Sequence, residues 1–387
     1  MKRFQDLLLT LAPDGVEFAR LGEVIRIKNG RDYKHLGPGD VPVYGTGGVM
    51  TFVDTAAHPG PSVLIPRKGS LSKLYYVDQP FWTVDTIFYS EVGERVNAKF
   101  VYYYLLTRRL EELNKAGGVP SLTQGELNQL RVPVPPLQLQ GEIVRILDEF
   151  TELEAELEAE LEARRRQYAY YRDHLLNFRE AGGVRWIPMG DAGGFFGGLS
   201  GKSKSDFTGG NAFFVSYVNV LNNIAVDLQR GDRVRVGADE RQRELRRGDI
   251  IFTGSSETPV EVGMSSVMTA VPTQPTYLNS FCIGYRLNEP ELLEPEFAKH
   301  LFRSQFMRDQ IVKTASGVTR FNVSKARLSK VTFPVPSRDE QLRIAETLDK
   351  FDALVNDLCV GLPAELAARR KQYEYYRDKL LTFEELV

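Results

Sequence analysis

Residues 163–176 read ARRRQYAYYRDHLL, and residues 368–381 read ARRKQYEYYRDKLL. The two stretches agree at eleven of fourteen positions, at a fixed offset of 205. One copy would indicate only a helix end. Two copies this far apart indicate an internal duplication, which has to be read before local structure.

Working outward, PVPPLQLQGEIVRILDEF (133–150) precedes the first copy and PVPSRDEQLRIAETLDKF (334–351) the second, offset by 201. They share Pro-Val-Pro, Gln140/Gln341, Ile143/Ile344, Leu147/Leu348, Asp148/Asp349 and Phe150/Phe351. Pro-Val-Pro is expected to stay outside any sheet and to stop what precedes it. Beyond it, Ile143, Leu147, Phe150, Leu153, Leu157, Leu161, Tyr168, Tyr171, Leu175 and Phe178 recur at steps of three, four or seven. That spacing predicts one helix from Gln138 to Phe178, about 60 Å long, with a single apolar stripe. Such a stripe needs a partner, and the second copy supplies it. Between Phe351 and Ala368 lie four more residues than between Phe150 and Ala163, including Gly361 and Pro363. A break or kink is expected there. Glutamates at every even position from 152 to 162 spread around a helix and read as a solvated surface.

DLLLTLAPDGV (6–16) aligns without gaps on HLLNFREAGGV (174–184). The chain thus opens with the tail of the helix and linker that recur at its centre. This predicts a circular two-fold arrangement of lobe, helix, lobe, helix, with the ends close together. The segments are 1–136, 137–180, 181–336 and 337–387. Each lobe carries strand-like runs: EVIRI, VPVYG, SVLIP, KLYYV and TVDTIFYS in the first, FFVSYVNV, RVRV, DIIFTG and NSFCIGYRL in the second. The middles look unlike. Each lobe closes with a helix (98–116 or 295–315), a glycine loop (GGVPSLT or SGVTRFN), a short helix capped by Thr123 or Asn322, and Pro-Val-Pro.

Composition restricts the function classes. With 42% hydrophobic and 26% charged residues the chain reads as an ordinary soluble globular protein, and no apolar run suits a bilayer. The opening MKRFQDLLLTLAPDG has too short an apolar core for a secretory leader. Cys282 and Cys359 have no metal or CxxC spacing and read as reduced cytoplasmic thiols, and four scattered histidines suggest no metal site. Net charge alternates along the four segments as +2, −5, +4 and −3. Basic lobes beside acidic helices suit phosphate attraction.

Three enzyme motifs fail. GLSGKS (198–203) comes near a phosphate-binding P-loop, but Phe196 stands where the first glycine is needed, so a flexible loop is expected. Pro13-Asp14 with Asp32-x-Lys34 loosely fits a metal-dependent nuclease, yet Pro13 and Asp14 align with linker residues. No Asn/Asp-Pro-Pro-aromatic motif is present to hold a flipped adenine.

The duplicated signature, the Pro-Val-Pro stretches, the glycine loops and the two lobes closely resemble the specificity (S) subunit of type I restriction–modification enzymes, over the whole chain. The resemblance implies an α+β fold: two target-recognition domains joined by two long antiparallel helices, a coiled-coil spacer in pseudo-two-fold circular arrangement. It implies a non-catalytic subunit that reads an asymmetric bipartite double-stranded DNA target. Two modification (M) subunits would methylate adenine with S-adenosylmethionine, and restriction (R) subunits would cleave with ATP and Mg. No cofactor is expected in this chain itself, nor any membrane contact, and the location is cytoplasmic. A coiled-coil scaffold that ignores DNA is the alternative from another class, with the nuclease reading the weakest.

Glycine-rich loops bearing cations and amides suit phosphate and base contacts. The DNA-binding candidates in the first lobe are Arg31, Lys34, Tyr44, Thr46, Arg67, Lys68, Ser70, Ser72 and Lys73. In the second they are Lys202, Lys204, Asn219, Asn222, Ser255, Ser256, Lys313, Arg320 and Lys325. Arg165, Tyr168, Tyr171, Arg172, Arg370, Tyr373, Tyr376 and Arg377 of the repeated signature are candidates for helix packing and subunit docking.

Overall fold

The computed structural model describes residues 2–114, 119–178, 183–230, 232–356 and 361–386. The chain divides into two compact units, Met1–Ala159 with Glu365–Val387, and Glu160–Ala364.

The first unit opens with helix α1 (Lys2–Leu11), strand β1 (Phe18–Arg20) and a one-turn helix α2 (Leu21–Val24). There follow β2 (Ile25–Asn29), β3 (Val41–Gly45), β4 (Gly48–Val53), β5 (Ser62–Pro66), β6 (Tyr75–Val77), β7 (Trp82–Thr83) and β8 (Ile87–Val92). Helix α3 (Ala98–Leu106), short α4 (Gln124–Asn128) and β9 (Arg131–Pro133) lead into the long helix α5 (Leu137–Leu175). The strands form a four-stranded sheet β2-β8-β5-β6, a three-stranded sheet β4-β3-β7 and a ladder β1-β9.

The second unit repeats this plan. Its elements are β10 (Arg185–Pro188), α6 (Met189–Ala192), β11 (Gly193–Gly197), β12 (Ala212–Val215), α7 (Tyr217–Asn222), β13 (Arg233–Val234), β14 (Ile250–Thr253), β15 (Ser255–Ser256), β16 (Ser265–Val267), β17 (Thr276–Leu278) and β18 (Cys282–Leu287). Then come α8 (Pro295–Leu301), α9 (Gln305–Val312), β19 (Ala315–Ser316), β20 (Phe321–Val323), α10 (Lys325–Leu328), β21 (Thr332–Val335) and α11 (Arg338–Asn356), followed by α12 (Leu362–Leu380), whose residues from Glu365 on belong to the first unit. The sheets are β11-β18-β14-β16, β13-β12-β17 and the ladder β10-β21, with β15-β20-β19 added. In both units the four-stranded sheet is antiparallel throughout, and the three-stranded sheet holds one parallel pair, β3 with β7 or β12 with β17. Lobes unlike in sequence thus share one strand order.

Several sequence expectations are corrected. Pro133 and Pro334 lie within β9 and β21, facing Phe18 and Trp186. A two-stranded ladder leaves each strand an open side, where a missing N–H costs nothing. The run YVNV after Phe214 is helical (α7), and its buried Asn219 uses its amide to hold the following loop. Thr123 caps α4 in a capping box with Glu126, as read from sequence. The second short helix is capped instead by Ser324, whose hydroxyl accepts from the Arg327 N–H, while Asn322 lies in β20. The lobe helices are shorter than expected: α3 ends at Leu106, and the second is split where Ser304 caps α9. In the distal segment α11 and α12 are separate helices and Gly361 lies outside both, the break expected there. Pro363 fits the first turn of α12, where its absent N–H has no helical partner.

The helices form only because each finds an apolar partner. In the first unit, Leu139, Ile143 and Leu147 of α5 are fully buried with Leu21, Ile65, Phe100 and Leu105, and Tyr373, Tyr376 and Phe383 pack against this core. Each such aliphatic side chain contributes about 1.5–3 kcal/mol on burial. The chain's beginning and end meet there: Val16 donates to the Glu384 carbonyl at 2.9 Å, and Leu386 donates back to Val16 at 2.9 Å. The second unit is built around Phe196, Val215, Ile251, Met268, Leu278 and Cys282, with Ile344 and Leu348 of α11 fully buried.

Gln140 and Gln341 explain the repeated Pro-Val-Pro lead. Gln140 Oε1 accepts from the Asn97 N–H (2.7 Å), and its Nε2 donates to the carbonyls of Pro135 (2.7 Å) and Arg95 (3.0 Å). Gln341 does the same with the Glu294 N–H (2.8 Å), Pro336 (3.0 Å) and Leu292 (3.1 Å). Each glutamine is buried and joins the start of its long helix to the loop before the lobe's helix.

Candidate nucleic-acid interface

In the first unit β5 ends at Pro66, and the chain turns back through residues 67–73. This loop is clamped on both sides. Arg67 N–H donates to Thr86 (2.9 Å), Leu122 N–H to Arg67 (2.9 Å) and Gly69 N–H to Pro120 (3.0 Å). The β3–β4 turn lies against it: Thr46 Oγ1 donates to the Thr86 carbonyl (3.1 Å), Lys73 Nζ to Gly47 (3.1 Å) and Tyr75 Oη to Thr46 (3.0 Å). Tyr44, Thr46, Arg67, Lys68 and Lys73 are therefore brought together, with Ser70 and Ser72 exposed on the same loop. Arg31 and Lys34 sit apart on the segment after β2, both exposed. The Arg31 guanidinium lies 5.5 Å from the Trp82 ring centre, and the Trp82 indole donates to its carbonyl at 2.9 Å. Val49, Met50 and Phe52 of β4 are exposed apolar side chains.

In the second unit, β20 pairs with both β15 and β19. Gly317, at φ +138°, makes the turn between β19 and β20; a Cβ there would lie 1.9 Å from the Arg320 carbonyl. The turn presents Arg320, whose Nη2 donates to Ser255 Oγ at 3.2 Å and whose guanidinium lies 5.9 Å from the Phe281 ring centre. These residues line a cleft of about 330 Å³ with Tyr217, Ser256, Glu257 and Glu261. Lys313, Lys325 and Lys204 are exposed, and Asn222 lines a separate cleft of about 900 Å³ with Tyr168, Lys299 and Arg303.

Three candidates are occupied internally. Asn219 is buried. Ser256 is buried and donates to Glu261 at 2.8 Å. Lys202 donates to the Arg235 carbonyl at 2.6 Å and pairs with Glu240, whose carboxyl it and the Gly237 N–H hold down at about 2. The 198–203 stretch is thereby bolted down, with Gln242 bonding both the N–H and carbonyl of Ser200. Its lysine is directed at a carbonyl and a carboxylate, which is incompatible with a phosphate cradle. Asp32 of the nuclease reading accepts from the N–H of Lys34 at 3.4 Å.

The signature residues pack helices in matching ways. In the first unit Tyr376 stacks on Phe150 and Tyr373 lies beside it, its hydroxyl pushed up to about 12 by burial. Arg377 lies over the Tyr373 ring, and Arg370 bridges Glu154 (2.6 Å) and Glu158. Two of the glutamates read as merely solvated thus anchor α12. In the second unit Tyr171 stacks on Phe351, Arg172 lies over Tyr168, and Tyr168 Oη meets His300 Nδ1 at 3.2 Å. Arg165 is exposed.

Sequence reading missed the groups around the shared aspartates. Asp148 takes Tyr103 Oη (2.6 Å) and Lys99 (2.8 Å); Asp349 takes His300 Nε2 (2.5 Å) and Lys299 (2.8 Å). Both aspartates were visible as repeat identities, but their partners were not. Two buried arginines were also missed. Arg303 donates to the carbonyls of Ser265, Val220, Leu221 and Asn223, and Arg308 to those of Gly263, Val260 and Val262. Burial lowers both guanidinium groups to about 10.

Two lobes of one strand order, each carrying exposed cations and hydroxyls, define a duplicated two-lobe protein. The family profile described as "Type I restriction modification DNA specificity domain" matches residues 13–163 and 242–368. The chain belongs to that family, the type I restriction–modification specificity subunits. It is 33% identical over 302 residues to the Escherichia coli type I restriction enzyme EcoR124I/EcoR124II specificity subunit, covering 74% of this chain and 70% of that one. Its fold is similar to the S subunit of a type I restriction–modification system from M. genitalium, with TM-score 0.56, 15% identity, and 95% and 96% of the two chains covered. It is also similar to a chain from a structure on complex assembly and conformational transition of the type I R-M system, with TM-score 0.58, 16% identity, and 95% and 98% covered. Among the described residues no helix is long and apolar enough to cross a membrane, and none group into a metal site.

Proposed function

We propose that this chain is the DNA-specificity subunit of a type I complex and reads an asymmetric bipartite target with its two lobes. The segments 1–136 and 181–336 serve as target-recognition domains, and the helical segments 137–180 and 337–387 as the spacer. The chain has no active site of its own. Two modification subunits dock around the helices and methylate adenine with S-adenosylmethionine; restriction subunits join for ATP- and Mg-dependent cleavage, in the cytoplasm. The observation that carries this reading is the duplication itself: one strand order in both units, with different side chains on the exposed loops. A shared frame with unlike loops suits two half-sites of different sequence. Phosphate contacts from Arg67, Lys68, Lys73, Lys313 and Lys325 would set register, and base-edge contacts would specify.

The test is co-expression with modification subunits, followed by mapping of methyladenine in host DNA. A split motif is expected. Exchange of residues 181–336 should change one half-site only. Four residues inserted near Leu157 should alter the gap between half-sites and leave their letters unchanged. Absence of any split motif would end the reading in favour of a scaffold without DNA specificity.

A further inference from the structure

The cleft of the second unit is lined by groups of opposite chemistry. The donor is Arg320, seated on Ser255 Oγ at 3.2 Å and over the Phe281 ring. Among the described residues Arg320 has no ion pair. The acceptors are the carboxylates of Glu257 and Glu261, and Glu261 already accepts the Ser256 hydroxyl at 2.8 Å. Phe281 is 56% exposed and adds an apolar face to the lining.

Several constraints hold this geometry. The Gly317 turn fixes the backbone that presents Arg320, and β15 and β20 are hydrogen-bonded as Ser255 with Asn322 and Ser256 with Phe321. Arg308 ties the 260–263 segment from behind through three carbonyls. A guanidinium held on a ring and a hydroxyl has lost little freedom still to be lost on binding.

A phosphate would be repelled by the two carboxylates, so the cleft is poorly suited to the DNA backbone. The major-groove edge of a G·C pair fits its pattern: guanine offers two acceptors, O6 and N7, and cytosine offers a donor, the N4 amino group. Resting on the family reading above, we propose that this cleft reads a G·C pair in the half-site of the second lobe, Arg320 donating to guanine and Glu257 accepting from cytosine.

The experiment uses the complete complex with modification subunits, carrying R320A, R320K, E257Q or E257A. Methyladenine mapping gives the motif of each, and anisotropy gives affinity for duplexes in which each base pair of that half-site is replaced in turn by A·T. For the wild-type complex one G·C position in the second half-site should cost roughly 10- to 100-fold on replacement. With R320A or E257A that penalty should fall to a few-fold at that position alone, and the first half-site should be unchanged. R320K and E257Q, which keep the bulk, should relax the same position to a lesser degree. An unchanged motif with affinity lowered equally for all duplexes would make Arg320 a phosphate contact and overturn the proposal. So would failure of the variants to assemble with modification subunits while the chain itself stays folded, which would make the cleft a protein contact. A wild-type complex with no split motif would instead remove the family reading on which the proposal rests.

Discussion

Phe150 stacks on Tyr376 with ring centres 5.4 Å apart and planes 25° from parallel. Phe351 and Tyr171 repeat the arrangement in the second unit at 5.3 Å and 21°. In each case a phenylalanine from the lead of one copy meets a tyrosine from the signature of the other. The repeat is therefore reciprocal: each copy of the signature closes the unit built on the opposite copy's lead.

Because the pairs are equivalent, Y376A and Y171A should each lower stability by about 1–2 kcal/mol, from lost ring contact and apolar area. Y376F and Y171F should change it little, since the ring makes the stack. Urea denaturation followed by tryptophan fluorescence would check this, with Trp82 reporting the first unit and Trp186 the second.

The two glutamines predict larger effects. Q140L and Q341L each strand one N–H and two carbonyls in buried or half-buried surroundings, so a loss of about 2–4 kcal/mol is expected for each. Denaturation midpoints of the two variants, measured in the same buffer, should fall together. An effect near zero at either site would mean that water replaces the amide there.

Asp349 predicts a pH dependence. Burial pushes its carboxyl up, but His300 and Lys299 outweigh burial and hold it below the ordinary carboxylate value. A carboxylate depressed in the folded state contributes stability that is present above its unfolded value, near 4, and is lost as pH falls through the folded value. The second unit should loosen below about pH 4. D349N should be less stable at pH 7 and show a flatter acid limb, read from thermal midpoints between pH 3 and 7.

Arg308 predicts the stability of a loop. R308M keeps the length of the side chain but leaves the carbonyls of Gly263, Val260 and Val262 without donors. A cost of about 3 kcal/mol is expected. Amide hydrogen exchange should show faster exchange in residues 258–264 than in the β2-β8-β5-β6 sheet of the first unit.

The repeat, the long central helix, the interruption before Pro363 and the capping box at Thr123 are local properties of the chain. They depend on spacing, backbone restriction and a side chain's reach to its neighbours, all of which a sequence displays. The common strand order of the lobes was not legible. Strand pairing such as β12 with β17 joins residues some sixty positions apart, and no local period marks it. The same limit applied to the site. Lys202, Asn219 and Ser256 have the composition of nucleic-acid ligands, but tertiary contacts turned each of them inward. Phe281 and Glu257 carried no sequence signal, and packing placed them around Arg320. The sequence alone determined that the molecule is built twice and which family it belongs to, because duplication and helical spacing are written along the chain. Only the tertiary structure decided which cations remain exposed and what they face, because burial and hydrogen bonding depend on residues brought together from distant segments.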